Sequence, residues 1–216
     1  MEINNFFTAG GIVAYPLLAF SLVVLALIGE RFWFWVQVNR RQRPIVREVL
    51  QKYQQEPDLA LKFLKGNAKL PIAKIFLEAL ELENPTPEEF RIALESATQA
   101  ELPTLKRFST VFDTVISVAP LLGLLGTILG LIEAFSALDI GTTGTTNASG
   151  VTGGISEALV STVMGLVVAI ATLFFANIFR SFYKRQLALI QEYGGQLELF
   201  YRRQYERKQE NYAHSR

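Results

Sequence analysis

The chain has no cysteine, and its one histidine, His214, stands among the last three residues. Disulfide scaffolds and thiol chemistry are therefore excluded, and no cluster of imidazole and thiolate at metal-ligand spacing exists. Neither a metal nor any other cofactor is expected. No nucleophile–base pair can be read from the pattern either, so enzymatic chemistry is not expected. Charge is missing from three long runs: residues 3–29, 114–132 and 158–179. Basic residues are missing from the first 30 positions and again from 139–156. Each uncharged run can cross a bilayer. The last, 22 residues long, makes about 33 Å of helix against a hydrocarbon core of about 30 Å.

What charge there is falls between these runs. Of the 21 Lys and Arg, 13 lie between Arg31 and Arg107 and 8 between Arg180 and Arg216. Positive residues are retained on the cytoplasmic side. This partition places the N-terminus and the 139–156 connection outside, and the 31–107 segment and the C-terminus inside. The first run is expected to be a retained helix and not a cleaved leader. It begins Met1-Glu2 without a basic n-region, and it ends in Glu30-Arg31 followed by Trp33 and Trp35, an interfacial aromatic anchor. The 12 basic residues from Arg40 to Arg107 are offset by 10 acids from Glu48 to Glu101. They form no nucleic-acid stripe, and the basic tail around Arg202-Arg203 and Arg207-Lys208 suits anionic lipid or topology better.

The reading is an all-α integral membrane protein with three transmembrane helices, two of them extended into a cytoplasmic helical bundle. The boundaries are 1–39 for the first transmembrane helix, 40–107 for a cytoplasmic helical region and 108–138 for the second transmembrane helix. A short periplasmic loop takes 139–156, the third transmembrane helix 157–180, and a cytoplasmic helix and tail 181–216. Within the cytoplasmic part, helices are expected over 43–55, 58–65 and 70–83, with breaks at Pro57, Gly66-Asn67 and Asn84-Pro85. Thr86-Pro87-Glu88-Glu89 is a strong helix start, with a Thr cap, Pro at the first position and Glu three after the cap. From there a long helix is expected into the second span, bent or interrupted at Pro103 and Pro120. The third span is expected to run on into the cytoplasm, with a break at Gly194-Gly195 and fraying from Glu206.

Few side chains in the spans carry oxygen. In the second span Gly126 and Gly130 make a GxxxG pair with Gly123 three residues earlier; such small faces admit close helix packing, as does Gly165 in the third. Thr127 lies beside that face. A threonine there can also satisfy itself on the carbonyl of the preceding turn. In the third span Glu157 and Ser161 share a face and Thr162 borders it. Thr172 and Asn177 sit further along. An acid at this depth faces a bundle interior or a water-filled cavity more often than lipid. Glu133 stands at the same rim on the second span, where solvation is the plainer reading. A proton route needs a titratable group near mid-depth, and only the hydroxyls of Thr127 and Thr162 are there. A second polypeptide or a water chain must supply the carrier.

The stretches Ala119-Pro-Leu-Leu-Gly-Leu-Leu-Gly-Thr-Ile-Leu-Gly-Leu-Ile-Glu-Ala-Phe135, Ile155-Ser-Glu-Ala-Leu-Val-Ser-Thr162 and Gly165-Leu-Val-Val-Ala-Ile170 resemble the ExbB/TolQ/MotA proton-channel family, the ExbB type most closely. The likeness covers residues 11–182 and includes Glu30-Arg31 and Asn177. The resemblance implies a homo-oligomeric ring, a pentamer, in the bacterial inner membrane. The second and third spans line its pore, and a dimer of single-span ExbD- or TolR-type partners inserts there. The partner's aspartate carries the proton. Thr127 and Thr162 match the threonines that flank it, and Glu157 matches the pore-lining acid. Ser161, Thr172, Asn177 and Glu133 are secondary pore candidates. Proton flow would energise outer-membrane uptake through a TonB-like protein. A TolQ-like role and a non-conducting scaffold are the alternatives. Family members often carry Pro after Ala-Ile in the third span; here Ala171-Thr172 follows.

Overall fold

The computed structural model describes residues 10–138 and 148–214, with side chains to Asn211. Six helices account for most of them: α1 (Ala14–Gln55), α2 (Pro57–Gly66), α3 (Pro71–Leu80), α4 (Pro87–Leu105), α5 (Ser109–Ser136) and α6 (Ala148–His214). No strand occurs among the described residues. Three stretches are long and apolar enough to cross a membrane, one in α1, one in Pro87–Ser136 and one in α6. The protein is all-α with three candidate spans.

The chain divides into two compact units, Met1–Arg31 with Phe108–Phe179 and Phe32–Arg107 with Arg180–Arg216. The first unit is built almost wholly from uncharged sequence. Along α5, beyond the buried Phe112 and Val115, the buried residues are small: Ala119, Gly123, Gly126, Gly130 and Ala134 recur every three or four positions, one face of the helix. Larger apolar side chains point away, with Leu121 at 62% exposure, Ile170 at 64% and Phe135 at 66%. An aqueous protein would bury these. Their exposure is the pattern of helices that meet through small residues and turn their large ones to lipid or to neighbouring chains.

The second unit has a conventional aqueous core. Ile72, Ile75 and Phe76 of α3, Phe90 of α4, Val46 and Val49 of α1 and Leu197 of α6 are each at most 1% exposed. The Thr86 start signal is realised in full. Its hydroxyl accepts from the Glu89 N–H, and the Glu89 carboxylate accepts from the Thr86 N–H at 2.7 Å, a capping box. These bonds to Thr86 hold the Glu89 carboxyl below its ordinary pKa. The Phe90 ring stacks on Tyr201, centroids 4.2 Å apart and planes 5° off parallel, and the Tyr201 hydroxyl donates to the Pro85 carbonyl at 2.5 Å.

One ion pair in this unit is asymmetric. Glu101 is 5% exposed, and Lys74, half-exposed, donates to it at 2.5 Å. The hydrogen bond, then the charge, of Glu101 raises the Lys74 pKa. A raised folded-state pKa gives stability that is complete below the unfolded lysine value and lost as pH climbs through the folded one. The lysine's share of the stability is therefore kept across the neutral range. Lys74→Ala strands a buried carboxylate and is expected to cost about 1–2 kcal/mol, reduced by the lysine's exposure. Adding Glu101→Leu is expected to recover most of it. Thermal unfolding of the purified protein reads both.

Several boundaries differ from those read in sequence. The first span and the 43–55 helix are one helix, which runs through Pro44. Proline removes the donor for the carbonyl four residues back, and both Arg40 and Pro44 are exposed, so water can take that carbonyl. The long helix from Thr86 is interrupted between α4 and α5, three residues beyond Pro103, where Phe108 takes a left-handed φ of 66°. The Arg31 guanidinium covers the Phe108 ring at 5.5 Å. Pro120 does not break α5. No break occurs at Gly194-Gly195, and α6 continues to His214 without the expected fraying. Two glycines cost a helix about 1 kcal/mol each, and burial of Ile190, Tyr193 and Leu197 around them opposes that cost. The third-span helix also starts at Ala148, inside the region read as loop. Residues 139–147 of that loop lie outside the described residues.

Candidate functional site

The site is built where α5 and α6 touch. A Cβ placed on Gly130 would stand 2.6 Å from the Gly154 carbonyl oxygen, one on Gly154 2.5 Å from that of Gly130, and one on Gly165 2.5 Å from that of Ala119. Distances this short are below any real Cβ contact, so the helices meet backbone to backbone along this seam. Gly123 and Gly126 continue it. The Gly123 position faces the Ser161 carbonyl and the Thr162 Cα, and the Gly126 position faces the Ser161 side chain. The glycines named from sequence are thus all in the seam. Gly154 was missed, because it was assigned to the loop.

The hydroxyls cluster on one carbonyl. Thr162 donates to the Gly123 oxygen at 3.4 Å, and Ser161 donates to it at 3.3 Å and to the Ala158 oxygen at 2.9 Å. In α-helical geometry the Gly123 carbonyl is the acceptor for the Thr127 N–H. Thr162 thus reaches across from α6 to the turn of α5 that leads to Thr127. The Thr127 hydroxyl donates back to the Leu124 carbonyl at 2.6 Å, the self-satisfying bond open to a threonine in a span. Both threonines are half-buried, each keeping a surface that the chain itself does not cover.

The remaining candidates divide by burial. Ser161 and Thr172 are wholly buried; Thr172 donates to the Val168 carbonyl at 2.7 Å. Asn177 is exposed. Glu157 is half-buried and Glu133 exposed, and their carboxyls lie within hydrogen-bonding reach of each other. Sequence put both at one rim but did not pair them. The Glu157 carboxyl also fills the space beside Gly11 that a Cβ there would need. Gly11 has a φ of 63°, and just beyond it α1 begins, with Val13, Ala14 and Leu17 buried. Sequence reasoning missed Gly11; its only signal was the Gly10-Gly11 pair, which reads as a turn. Among the described residues no group of His, Cys, Asp and Glu could hold a metal ion.

The arrangement offers hydroxyls and one shared carbonyl within the seam, and a carboxyl pair at its end. Hydroxyls relay protons but hold no charge at neutral pH. The titratable groups of α5 and α6 nearest the seam are therefore the two acids.

A family described as the MotA/TolQ/ExbB proton channel family matches residues 67–192. An ExbB-like biopolymer transport protein of Synechocystis, ExbB-like 3, is 66% identical over 209 residues, covering 96% of this chain and 100% of the relative. A second from the same organism, ExbB-like 1, is 36% identical over 197 residues, 91% of this chain and 78% of the relative. The biopolymer transport protein ExbB of Xanthomonas campestris pv. campestris is 28% identical over 203 residues, 83% and 79% of the two chains.

Proposed function

Because this chain belongs to the MotA/TolQ/ExbB proton channel family, we propose that it is the ring-forming subunit of an inner-membrane motor driven by proton flow. It is a multi-pass membrane protein of a transport family, with an ExbB-like role, and not an enzyme. In the proposed assembly several copies, five by analogy with the family, surround the membrane helices of an ExbD-like partner pair. The 21 basic residues on one side and none on the other support an N-terminus outside and a C-terminus inside. Each proton crossing supplies about 2.3 kcal/mol per 100 mV. That work is passed through a TonB-like protein to outer-membrane uptake.

The observation that carries this reading is the pair of half-buried threonines, Thr162 bonded to the Gly123 carbonyl and Thr127 one turn on from Gly123, in a region without a titratable group. A proton path here needs a carboxylate from another chain. Ser161 and Thr172 are wholly buried, Ser161 bonded across to α5 and Thr172 to its own helix, while Thr127, Thr162 and Glu157 meet the guest helix. Asn177 and Glu133 are the exposed polar positions of the same path.

The absence of cysteine makes the test clean. Thr127→Cys, paired with single cysteines along the partner's membrane helix, is expected to form a disulfide at the level of its aspartate. Cross-links that form only between copies of this chain, and never to the partner helix, would favour the non-conducting scaffold. The cargo separates an ExbB-like from a TolQ-like role. Deletion of the gene is expected to abolish uptake of iron complexes or vitamins, whereas envelope leakage with normal uptake assigns the Tol-like one.

A further inference from the structure

Three chain segments, not two, build the surroundings of Glu157. Its carboxyl reaches Glu133 on α5, and it lies directly against Gly11, the residue that leads into α1. The approach is so close that any Cβ at position 11 would coincide with the carboxyl. The lead-in is fixed in place. The Ala14 N–H donates to the Gly11 carbonyl at 3.1 Å, closing a turn at the helix start. Val13, 3% exposed, reaches the α5–α6 seam, its Cγ2 3.5 Å from where a Cβ on Gly126 would stand. Leu17, one turn on, is 1% exposed. A left-handed φ of 63° also favours glycine.

We infer that Gly11 is a positioning residue for Glu157: the start of α1 supplies a wall with no side chain, and that wall holds the carboxyl beside Glu133. The inference rests on the proposed role of Glu157 in the proton path. The Gly11 position is where the Glu157 carboxyl rests, within 1.4 Å of where a Cβ would stand, so the absence of a side chain there is what leaves it room. A side chain at position 11 turns the Glu157 carboxyl away and separates the two acids. The first span, which is not one of the two that the resemblance sets around the pore, thereby acts on the path.

The test compares Gly11→Ala with Gly29→Ala, a glycine within α1 around which an added Cβ meets nothing within 4 Å. Proton flux is measured in proteoliposomes of the complete complex, and thermal stability of that complex is measured in parallel. Gly11→Ala is expected to lower flux at least tenfold with the complex still assembled, while Gly29→Ala leaves it unchanged. A cycle with Glu157→Ala isolates the contact. With the carboxyl gone, Gly11→Ala is expected to lower the melting temperature less than it does in the native chain, because only the backbone preference remains. An equal drop in both backgrounds overturns the inference, since the effect then belongs to the helix start alone. Normal flux in Gly11→Ala with flux lost in Glu157→Gln overturns the positioning role and leaves the proposed function standing. Normal flux in Glu157→Gln removes the role of Glu157 and the inference with it.

Discussion

Thr162→Val is expected to abolish proton-driven uptake while the assembled complex is recovered in normal amount. Valine keeps the shape of threonine and removes only the hydroxyl, which now donates to the Gly123 carbonyl at 3.4 Å. That bond is long, and Ser161 donates to the same oxygen, so its loss hardly disturbs packing. A proton arriving on a guest carboxylate loses its only hydroxyl from this helix face. An unmade hydrogen bond to a buried charged group costs about 1–3 kcal/mol or more, which is about fivefold to more than a hundredfold in rate. Thr162→Ser keeps the hydroxyl and is expected to retain most of the flux. Flux of the native size in the valine variant, measured in proteoliposomes with the partner present, would remove this threonine from the path.

Gly154→Ala is expected to prevent α5 and α6 from closing, whereas Gly153→Ala next to it is expected to be silent. The added methyl at 154 meets the Gly130 carbonyl oxygen at 2.5 Å and the Ala134 backbone at 2.6 Å; at 153 it meets nothing within 4 Å. Both opposing atoms are backbone, so no rotamer change relieves them. Overpacking of this kind costs about 1–3 kcal/mol even when the backbone shifts, and a seam of small residues has little else to lose. The measurement is the yield of assembled complex from membranes, with a fall of about tenfold or more at 154. Equal yields for the two variants would mean that the helices do not meet in this register.

Much of this was legible in the chain. The spans follow from charge alone, since 3–29, 114–132 and 158–179 contain none. The α4 start follows from a four-residue signal whose every bond is made. The seam could be read in part, because glycine spacing names a face. What remained hidden was of two kinds. Local breakers were overruled wherever a long helix had packing on both sides, as at Pro44 and Gly194-Gly195, because propensity acts per residue and burial acts over the whole helix. The Glu133–Glu157 pair and the Gly11 wall depend on how three distant segments meet, and spacing along one helix carries no information about that.

The seam between α5 and α6 consists mostly of peptide groups. Side chains absorb small displacements by hopping between rotamers, but facing carbonyls and α-carbons have no such freedom. The two helices therefore behave as one stiff plate. Under load it can tilt or slide as a whole, but it cannot shear along its midline, and any stroke must be taken up on its outer faces.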